Sequence, residues 1–289
     1  MKYLYTLLTS KSTKDYELID VGDGAKLERF GSTIFLRPDP QALFTRAGDE
    51  RWNKPDAIYL PGKNGGSWRF GKEIPDDISI TLEGVTFGLK LSSFKHTGVF
   101  PEQMSNWAWL REMVNKSKDQ LSVLNLFGYT GGASIALAQA GAKVTHVDSS
   151  RGAITSASVN ASLSGLSSTA IRWMREDVRA FVSRELRRGN TYDAIVMDPP
   201  VFGHGAKGES WHVETDMVPL LRDIEKLLSP KASFLLLNGY ASGFTSLAYG
   251  ELLSEIQAKH SGVVERGELA IEATSGRVLP AGIFARWSK

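Results

Sequence analysis

Val123–Asp148 reads V-L-N-L-F-G-Y-T-G-G-A-S-I-A-L-A-Q-A-G-A-K-V-T-H-V-D. Leu121 to Leu126 is a short apolar run that predicts a buried strand. Gly128, Gly131 and Gly132 follow and allow a tight turn in which the backbone can approach a ligand with no Cβ in the way. Ala133 to Ala140, rich in alanine and leucine, predicts a helix that Gly141 stops. Lys143 to Val147 predicts a second strand, and Asp148 stands at its carboxyl end. Strand, glycine turn, helix, strand and acid together form the βαβ half of a nucleotide-binding fold. Ligands of such folds lie beyond the carboxyl ends of the strands.

An acid in the place of Asp148 can accept hydrogen bonds from both ribose hydroxyls. The dinucleotide pattern G-x-G-x-x-G is missing, because the turn is F-G-Y-T-G-G, and no lysine or arginine stands in it to meet a pyrophosphate. The turn therefore favours a phosphate-free nucleoside, S-adenosylmethionine (SAM) over NAD.

Working outward, Ser149 or Ser150 caps a helix from Arg151 to Leu163. Ile171 to Met174 is a third strand, and Asp177 precedes a helix from Val178 to Arg188. Asp177 either caps that helix or accepts from an adenine amine, and its position beside the other strand ends favours the adenine role. The arginines of this stretch, from Arg172 to Arg188, read as a solvated face. Tyr192 to Met197 is a fourth strand, apolar on both faces as a central parallel strand should be. It exits through Asp198-Pro199-Pro200. The prolines remove two backbone donors and fix an extended turn, so the Asp198 side chain and nearby carbonyls can converge on one point. Phe202 follows and can stack on a flat ring. Gly203 to Trp211 reads as a mobile, glycine-rich loop. Val218 to Leu228 and Ser246 to His260 read as helices, Ser233 to Leu237 as a strand. A late pair of strands, Glu268 to Ala273 and Gly282 to Trp287, closes the sheet.

Before the central stretch, residues 1 to 90 read as a small antiparallel β-domain. Its expected strands are Tyr3–Leu8, Tyr16–Val21, Leu27–Phe35, Ile78–Leu82 and Val85–Leu91, with irregular chain from Trp52 to Arg69 and turns at Pro61–Gly66 and Ile74–Asp77. It either positions substrate or caps the catalytic domain, residues 91 to 289. Between them runs K-H-T-G-V-F-P-E-Q, Lys95 to Gln103, and a helix from Met104 to Val114 whose Trp107, Leu110 and Val114 share one face. Phe100 can cover a bound adenine or methionine group, and Gln103 can bond the methionine end.

Composition sets outer bounds. The chain has 289 residues, a net charge of +2 and no cysteine. Disulfides, cysteine–zinc sites and cysteine nucleophiles are excluded, which fits a reducing cytoplasm. No apolar run approaches the roughly 20 residues of a membrane span, and the first ten residues are too short an apolar stretch for a secretory signal. Residues 1 to 90 hold 13 basic and 13 acidic side chains, without the basic excess of a dedicated nucleic-acid-binding domain.

Taken together, H-T-G-V-F-P-E-Q (96–103), L-N-L-F-G-Y-T-G-G (124–132), V-D-S-S (147–150) and D-P-P-V-F-G (198–203) resemble the class I SAM-dependent methyltransferases. The nearer resemblance is to the bacterial 23S rRNA large-subunit group that modifies cytosine C5 and guanine N7. The resemblance implies a Rossmann-like α/β fold with a mostly parallel seven-stranded sheet. It implies SAM as cofactor, held by Phe100, Gln103, Asn125, Phe127, Tyr129, Thr130, Gly131, Asp148, Ser149, Asp177 and Asp198. It implies transfer to a nitrogen acceptor at Asp198, Pro199, Pro200 and Phe202, an RNA partner, a cytoplasmic location and no metal. Cytosine-C5 chemistry needs a cysteine that adds to the ring, which this chain lacks, and the first 90 residues do not look like the RNA-binding domain of the PUA type that the group carries. A protein or small-molecule acceptor, or a non-catalytic SAM-binding module, remains open at this point. An NAD oxidoreductase ranks below these.

Overall fold

The computed structural model describes residues 4–63, 65–75, 77–205, 208–240 and 243–289. Tyr3, Asn64, Asp76 and the pair Ala206–Lys207 belong to an expected strand, two expected turns and an expected loop, and lie outside the described residues. The chain forms two compact units. One comprises Met1–Leu7, Asn106–Glu268 and Gly282–Lys289; the other Leu8–Ser105 and Leu269–Ala281. Their border does not coincide with a cut after residue 90. It falls later, and a segment of the late strand pair joins the second unit.

The first strand is β1 (Leu4–Ser10). The β-rich unit then runs β2 (Tyr16–Gly22), β3 (Ala25–Phe30), β4 (Thr33–Pro38), β5 (Ala57–Gly62), β6 (Gly65–Phe70), β7 (Ser79–Leu82) and β8 (Val85–Gly88). β2 to β6 form one sheet in that order, and β7 pairs with β8. The expected single strand Leu27–Phe35 is two strands, because Gly31 turns the chain at φ +58°. The expected irregular stretch Trp52–Arg69 contains β5 and β6. The sheet is not wholly antiparallel either, since β4 and β5 pair in parallel. Ile19 on β2, Leu27 on β3 and Trp52 on a 3-10 turn at Glu50–Asn53 pack in one core cluster. Elsewhere in this unit Glu28 is fully buried, accepting from Tyr16 Oη at 3.0 Å and from Arg37 Nη2 at 2.6 Å. A carboxylate so buried persists only because it is paired.

The other unit begins with α1 (Met104–Lys116), in which Trp107, Leu110 and Val114 are buried as their spacing predicts. It continues with β9 (Ser122–Leu126), α2 (Gly132–Gln139), β10 (Lys143–Asp148), α3 (Arg151–Leu163), β11 (Ile171–Arg175), α4 (Val178–Arg188) and β12 (Ala194–Met197). A short hairpin, β13 (Phe202–His204) with β14 (Ser210–His212), leads into α5 (Val213–Leu227), β15 (Phe234–Gly239), α6 (Ser246–His260), β16 (Val263–Glu272) and β17 (Val278–Ser288). The sheet order is β1-β16-β17-β15-β12-β9-β10-β11. It therefore has eight strands rather than seven, because β1 joins its edge. Five neighbours, β11-β10-β9-β12-β15, are parallel, and β17 is antiparallel to β15. This is the Rossmann-like fold of the class the sequence resembles.

The reason is legible in α4. Asp177 caps its start and Gly189 its end, in the left-handed region at φ +67°. Val178, Phe181, Val182 and Glu185 are buried at helical spacing while Arg187 and Arg188 stay exposed. Full burial of a side chain such as Phe181 contributes about 1.5–3 kcal/mol. Its ring joins Leu124, Leu126, Ile195, Met197, Leu235 and Leu237 from alternate positions of three strands in one core.

Candidate active site

Parallel pairing brings the exits of β9, β10, β11 and β12 to one edge of the sheet. Phe127, Asp148, Glu176 and Asp198 follow or end these strands in turn. From β9 the chain proceeds outward to β10 and β11, then returns to β12 on the other side of β9. The topological switch point thus lies between β9 and β12, flanked by the glycine turn and by the Asp198 corner. Such a point is where open α/β sheets bind ligands.

The glycine turn is strained. Phe127 and Tyr129 have left-handed φ of +55° and +49°, and Gly131 has +92°. Non-glycine residues in that region cost about 1–3 kcal/mol each and collect at functional sites. The surroundings hold them there. Tyr129 N donates to Asp148 Oδ2 at 2.9 Å, Asn160 Nδ2 donates to the Thr130 carbonyl at 3.0 Å, and the Phe127 ring lies 4.9 Å from that of Trp211. Asp148 Oδ1 accepts from Ser150 N at 2.8 Å. Burial raises the Asp148 carboxyl above its ordinary range, and the two N–H donors oppose that rise.

Two glycines act differently from expectation. A Cβ at Gly128 would stand 2.5 Å from His146 Nδ1, so the space there belongs to a buried imidazole and not to a ligand. A Cβ at Gly131 would press on Ala157 at 3.0 Å. His146 is fully buried, and burial lowers its pKa to about 3, so it is neutral. Its Nδ1 meets Ser134 Oγ at 2.9 Å, which accepts from Asn125 Nδ2 at 2.8 Å. The Asn125 side chain, expected at the cofactor, is instead buried and committed beneath the turn. Polar residues in an otherwise apolar strand carry no mark of which way they point.

Asp177 caps α4: its Oδ1 accepts from Arg179 N at 2.9 Å and Ala180 N at 3.1 Å. Its Oδ2 lies 3.3 Å from Arg179 Nη2, and Arg179 Nη1 also reaches Asp216 Oδ2 at 3.2 Å. The capping alternative is therefore what the geometry contains, and any adenine contact must share the side chain with it.

Asp198 differs from both other acids. It is exposed at the carboxyl end of β12, and no described residue gives its carboxylate a hydrogen bond or ion pair. Crowding by protein atoms pushes its pKa up to about 6. Tyr249 on α6 is buried close by, and burial with the Asp198 charge drives its hydroxyl up to about 12. Pro199 is buried and Pro200 exposed.

The expected loop after Pro200 is the β13–β14 hairpin. Phe202 is 52% exposed, which leaves a ring face for a ligand. It lies 4.9 Å from both His204 and His212. Ser149 Oγ donates to the His204 carbonyl at 2.9 Å, tying β13 to the residue after Asp148. Buried Trp211 donates Nε1–H to the Pro200 carbonyl at 2.6 Å. Trp211, Tyr249, Ser134 and His146 are thus site neighbours that the sequence reading did not single out.

Phe100 and Gln103 lie in the β-rich unit. Phe100 precedes a single 3-10 turn, Pro101–Gln103, receives a hydrogen bond from Gln103 N at 3.1 Å and packs 5.3 Å from His96. The site of the other unit is thus assembled from Phe127–Gly131, Asp148–Ser149, Asp177 and Asp198–Phe202. Its donor set suits a phosphate-free nucleoside: Asp148 keeps lone pairs beyond the two N–H groups it holds, and no cation stands in the turn. Among the described residues no group of three or more His, Cys, Asp or Glu side chains is placed to hold a metal ion, and no helix is long and apolar enough to cross a membrane.

A strained turn after β9, an acid ending β10 and an open Asp-Pro-Pro corner after β12 lie together at the switch point of a Rossmann-like sheet, the class of fold that binds nucleosides there. The chain belongs to the S-adenosylmethionine-dependent methyltransferase family, whose model matches residues 57–273, and SAM is its cofactor. Within the family it is similar to the SAM-dependent methyltransferase from Agrobacterium tumefaciens: 41% identity, a TM-score of 0.93, and coverage of 100% of this chain and 96% of that one. It is also similar to the ribosomal RNA large subunit methyltransferase K/L of Shewanella loihica, at 34% identity over 71% of this chain and 26% of that protein. The Shewanella pealeana protein of the same name is 36% identical over 55% of this chain and 22% of its own length. The chain thus spans about a quarter of the length of these curated relatives. A Streptococcus mutans SAM-dependent methyltransferase structure shares the fold at 18% identity and a TM-score of 0.71, covering 95% of this chain and 76% of that one.

Proposed function

We propose that this protein transfers a methyl group from SAM to a nitrogen of a base in large-subunit ribosomal RNA. The observation that carries this reading is the Asp198 carboxylate, exposed at the switch point, without a hydrogen bond or ion pair among the described residues, and followed within the same exit by an exposed aromatic ring. The relatives named for ribosomal RNA methylation support the choice of acceptor.

When bound, SAM supplies an already activated methyl group, so the residues need only aim an acceptor at it. Such orientation is worth at best about 7–11 kcal/mol. Asp148 receives the ribose hydroxyls, with Ser149 beside it. Phe127, Tyr129, Thr130 and Gly131 shape the methionine end, and Asp177 stands at the adenine end. Phe202 stacks on the acceptor base, an interaction worth about 1–3 kcal/mol per base. Asp198 accepts a hydrogen bond from the acceptor nitrogen and takes up its developing positive charge, and the Pro199 carbonyl assists. A base inside a helix must first be splayed out. A ribosomal acceptor implies a cytoplasmic site of action.

Asp148→Ala removes the ribose acceptor and the anchor of Tyr129 N. SAM affinity, measured by calorimetry, should fall at least about tenfold, or 1.4 kcal/mol. An unchanged Kd would refute the ribose assignment.

The acceptor role requires Asp198 to be ionised. Its carboxyl titrates at about 6, so turnover at saturating SAM should rise with pH up to roughly that value and level off above it. The acid limb should vanish in Asp198→Asn. A wild-type profile flat from pH 5 to 8 would contradict the role. The acceptor itself is tested by tritium transfer from labelled SAM. Ribosomal RNA lacking its natural methylation should take up label while total cell protein and small molecules do not, and label only in the latter would overturn the RNA reading.

A further inference from the structure

The β13–β14 hairpin contains a residue that touches both halves of the site. Trp211 is 4% exposed although it sits on a three-residue strand. Its indole N–H reaches the Pro200 carbonyl at 2.6 Å. Its ring packs 4.9 Å from Phe127, the strained residue that opens the glycine turn. On another side lies the Arg179 guanidinium, 6.0 Å from the ring centroid and bridged to Asp177 and Asp216. Asp216 in turn accepts from His212 N at 2.8 Å.

These contacts make one continuous set. From Asp177 it runs through Arg179 to Trp211, then to the turn on one side and to the diproline corner on the other. We propose that Trp211 is a positioning residue for methyl transfer, holding the Asp198–Pro200 corner in register with the cofactor turn. The claim rests on the methyl-transfer reading above.

The physical reason is that neither half is rigid unaided. The prolines cannot donate to the sheet ladder, so the backbone after Asp198 gains little from its neighbouring strands. A hydrogen bond from a buried indole fixes the orientation of the Pro200 carbonyl and with it the preceding peptide. The turn stores strain that persists only while surrounding groups over-determine it, and the Trp211–Phe127 contact is one of those groups. One side chain therefore sets the distance between the two partners of the reaction, and a small misplacement of reacting groups lowers the rate steeply.

Two substitutions separate the two contacts. Trp211→Phe keeps a ring against Phe127 and removes the N–H to Pro200. At saturating SAM its kcat on ribosomal RNA should fall about tenfold or more, with SAM affinity within about twofold of wild type. Trp211→Ala removes both contacts and should also raise the KM for SAM. A Trp211→Phe enzyme with wild-type kcat, or one that loses SAM affinity but not kcat, would overturn the proposal.

A second measurement needs neither the acceptor nor a variant that retains activity. Wild-type protein is labelled with 5-fluorotryptophan, and the Trp211 resonance is assigned by its absence from Trp211→Phe or Trp211→Tyr. That resonance should shift on titration with S-adenosylhomocysteine (SAH). An unmoved signal at saturation would contradict coupling to the cofactor turn. If wild type leaves ribosomal RNA unlabelled, the acceptor reading fails, and the fluorine shift still decides the role of Trp211.

Discussion

Asp198→Ala should lower methyl transfer by about 10²- to 10⁴-fold, the range associated with a positioned acid–base group, while SAM binds with nearly unchanged affinity. Full turnover by the variant would remove Asp198 from the reaction. The same carboxylate has a consequence for stability. Its pKa rises from 3.8 to about 6 in the folded chain because surrounding protein atoms partly desolvate the carboxylate and no described residue pairs with it, while the exposure of the residue lets solvent screen and so reduce the cost. Folding therefore works against the ionised form. The penalty is absent below the ordinary value, grows between the two values and is complete above about 6. Asp198→Asn should accordingly raise the melting temperature at pH 7.5 and leave it unchanged near pH 3.5, despite its loss of turnover. A group kept charged against the interest of stability is expected where function demands it. A lower melting temperature for Asp198→Asn at pH 7.5 would mean that the carboxylate has a structural partner.

Gly128→Ala carries the second large effect. The added methyl would meet the His146 ring, which cannot simply turn aside. It is held by Ser134 Oγ at 2.9 Å and packed 4.8 Å from the Trp173 ring. Overpacking of this kind costs about 1–3 kcal/mol, and a backbone turn on one side with a fixed ring on the other places it at the upper end. The melting temperature should fall by roughly 6–12 °C, and SAM affinity should fall with it, since the displaced turn holds Tyr129 N on Asp148. Gly141→Ala is the control. Gly141, unlike Gly128, has a left-handed φ, +97°, and open space where its Cβ would be. It should lose only about 1 kcal/mol and keep SAM affinity. Equal affinity losses in the two variants would show that the contact with the imidazole does not set the turn.

The central strands were legible because their burial leaves no room for alternation: β12 and β15 are buried at every position, and their runs are apolar over Ala194–Met197 and Phe234–Leu237. The helices α3, α4 and α6 were legible to the residue because each begins at a side-chain cap, Ser150, Asp177 and Thr245 respectively. Elements without such marks were lost. The hairpin β13–β14 has three residues a side, too few for any period, and its glycines imitate a loop. α5 begins at Val213, five residues before its expected start, because Pro219 imitates a first turn while lying inside the helix. β5 and β6 are interrupted by proline and glycine at the ends where they meet.

At the site, the acids Asp148, Asp177 and Asp198 were legible because strand ends are marked by their flanking residues. What those acids touch was not. The Asp177 cap and the open Asp198 carboxylate are chemically identical in sequence, and only the neighbouring Arg179 and the diproline turn distinguish them. Likewise Gly128 looks like a ligand-side glycine until the imidazole beneath it is seen.

The most direct test of the central claim is a crystal structure of the protein with SAH. The ribose hydroxyls should lie on the Asp148 carboxylate, and the sulfur should face the Asp198–Pro200 corner. A nucleoside bound elsewhere, or one seated at Asp148 with its sulfur turned away from Asp198, would contradict the account.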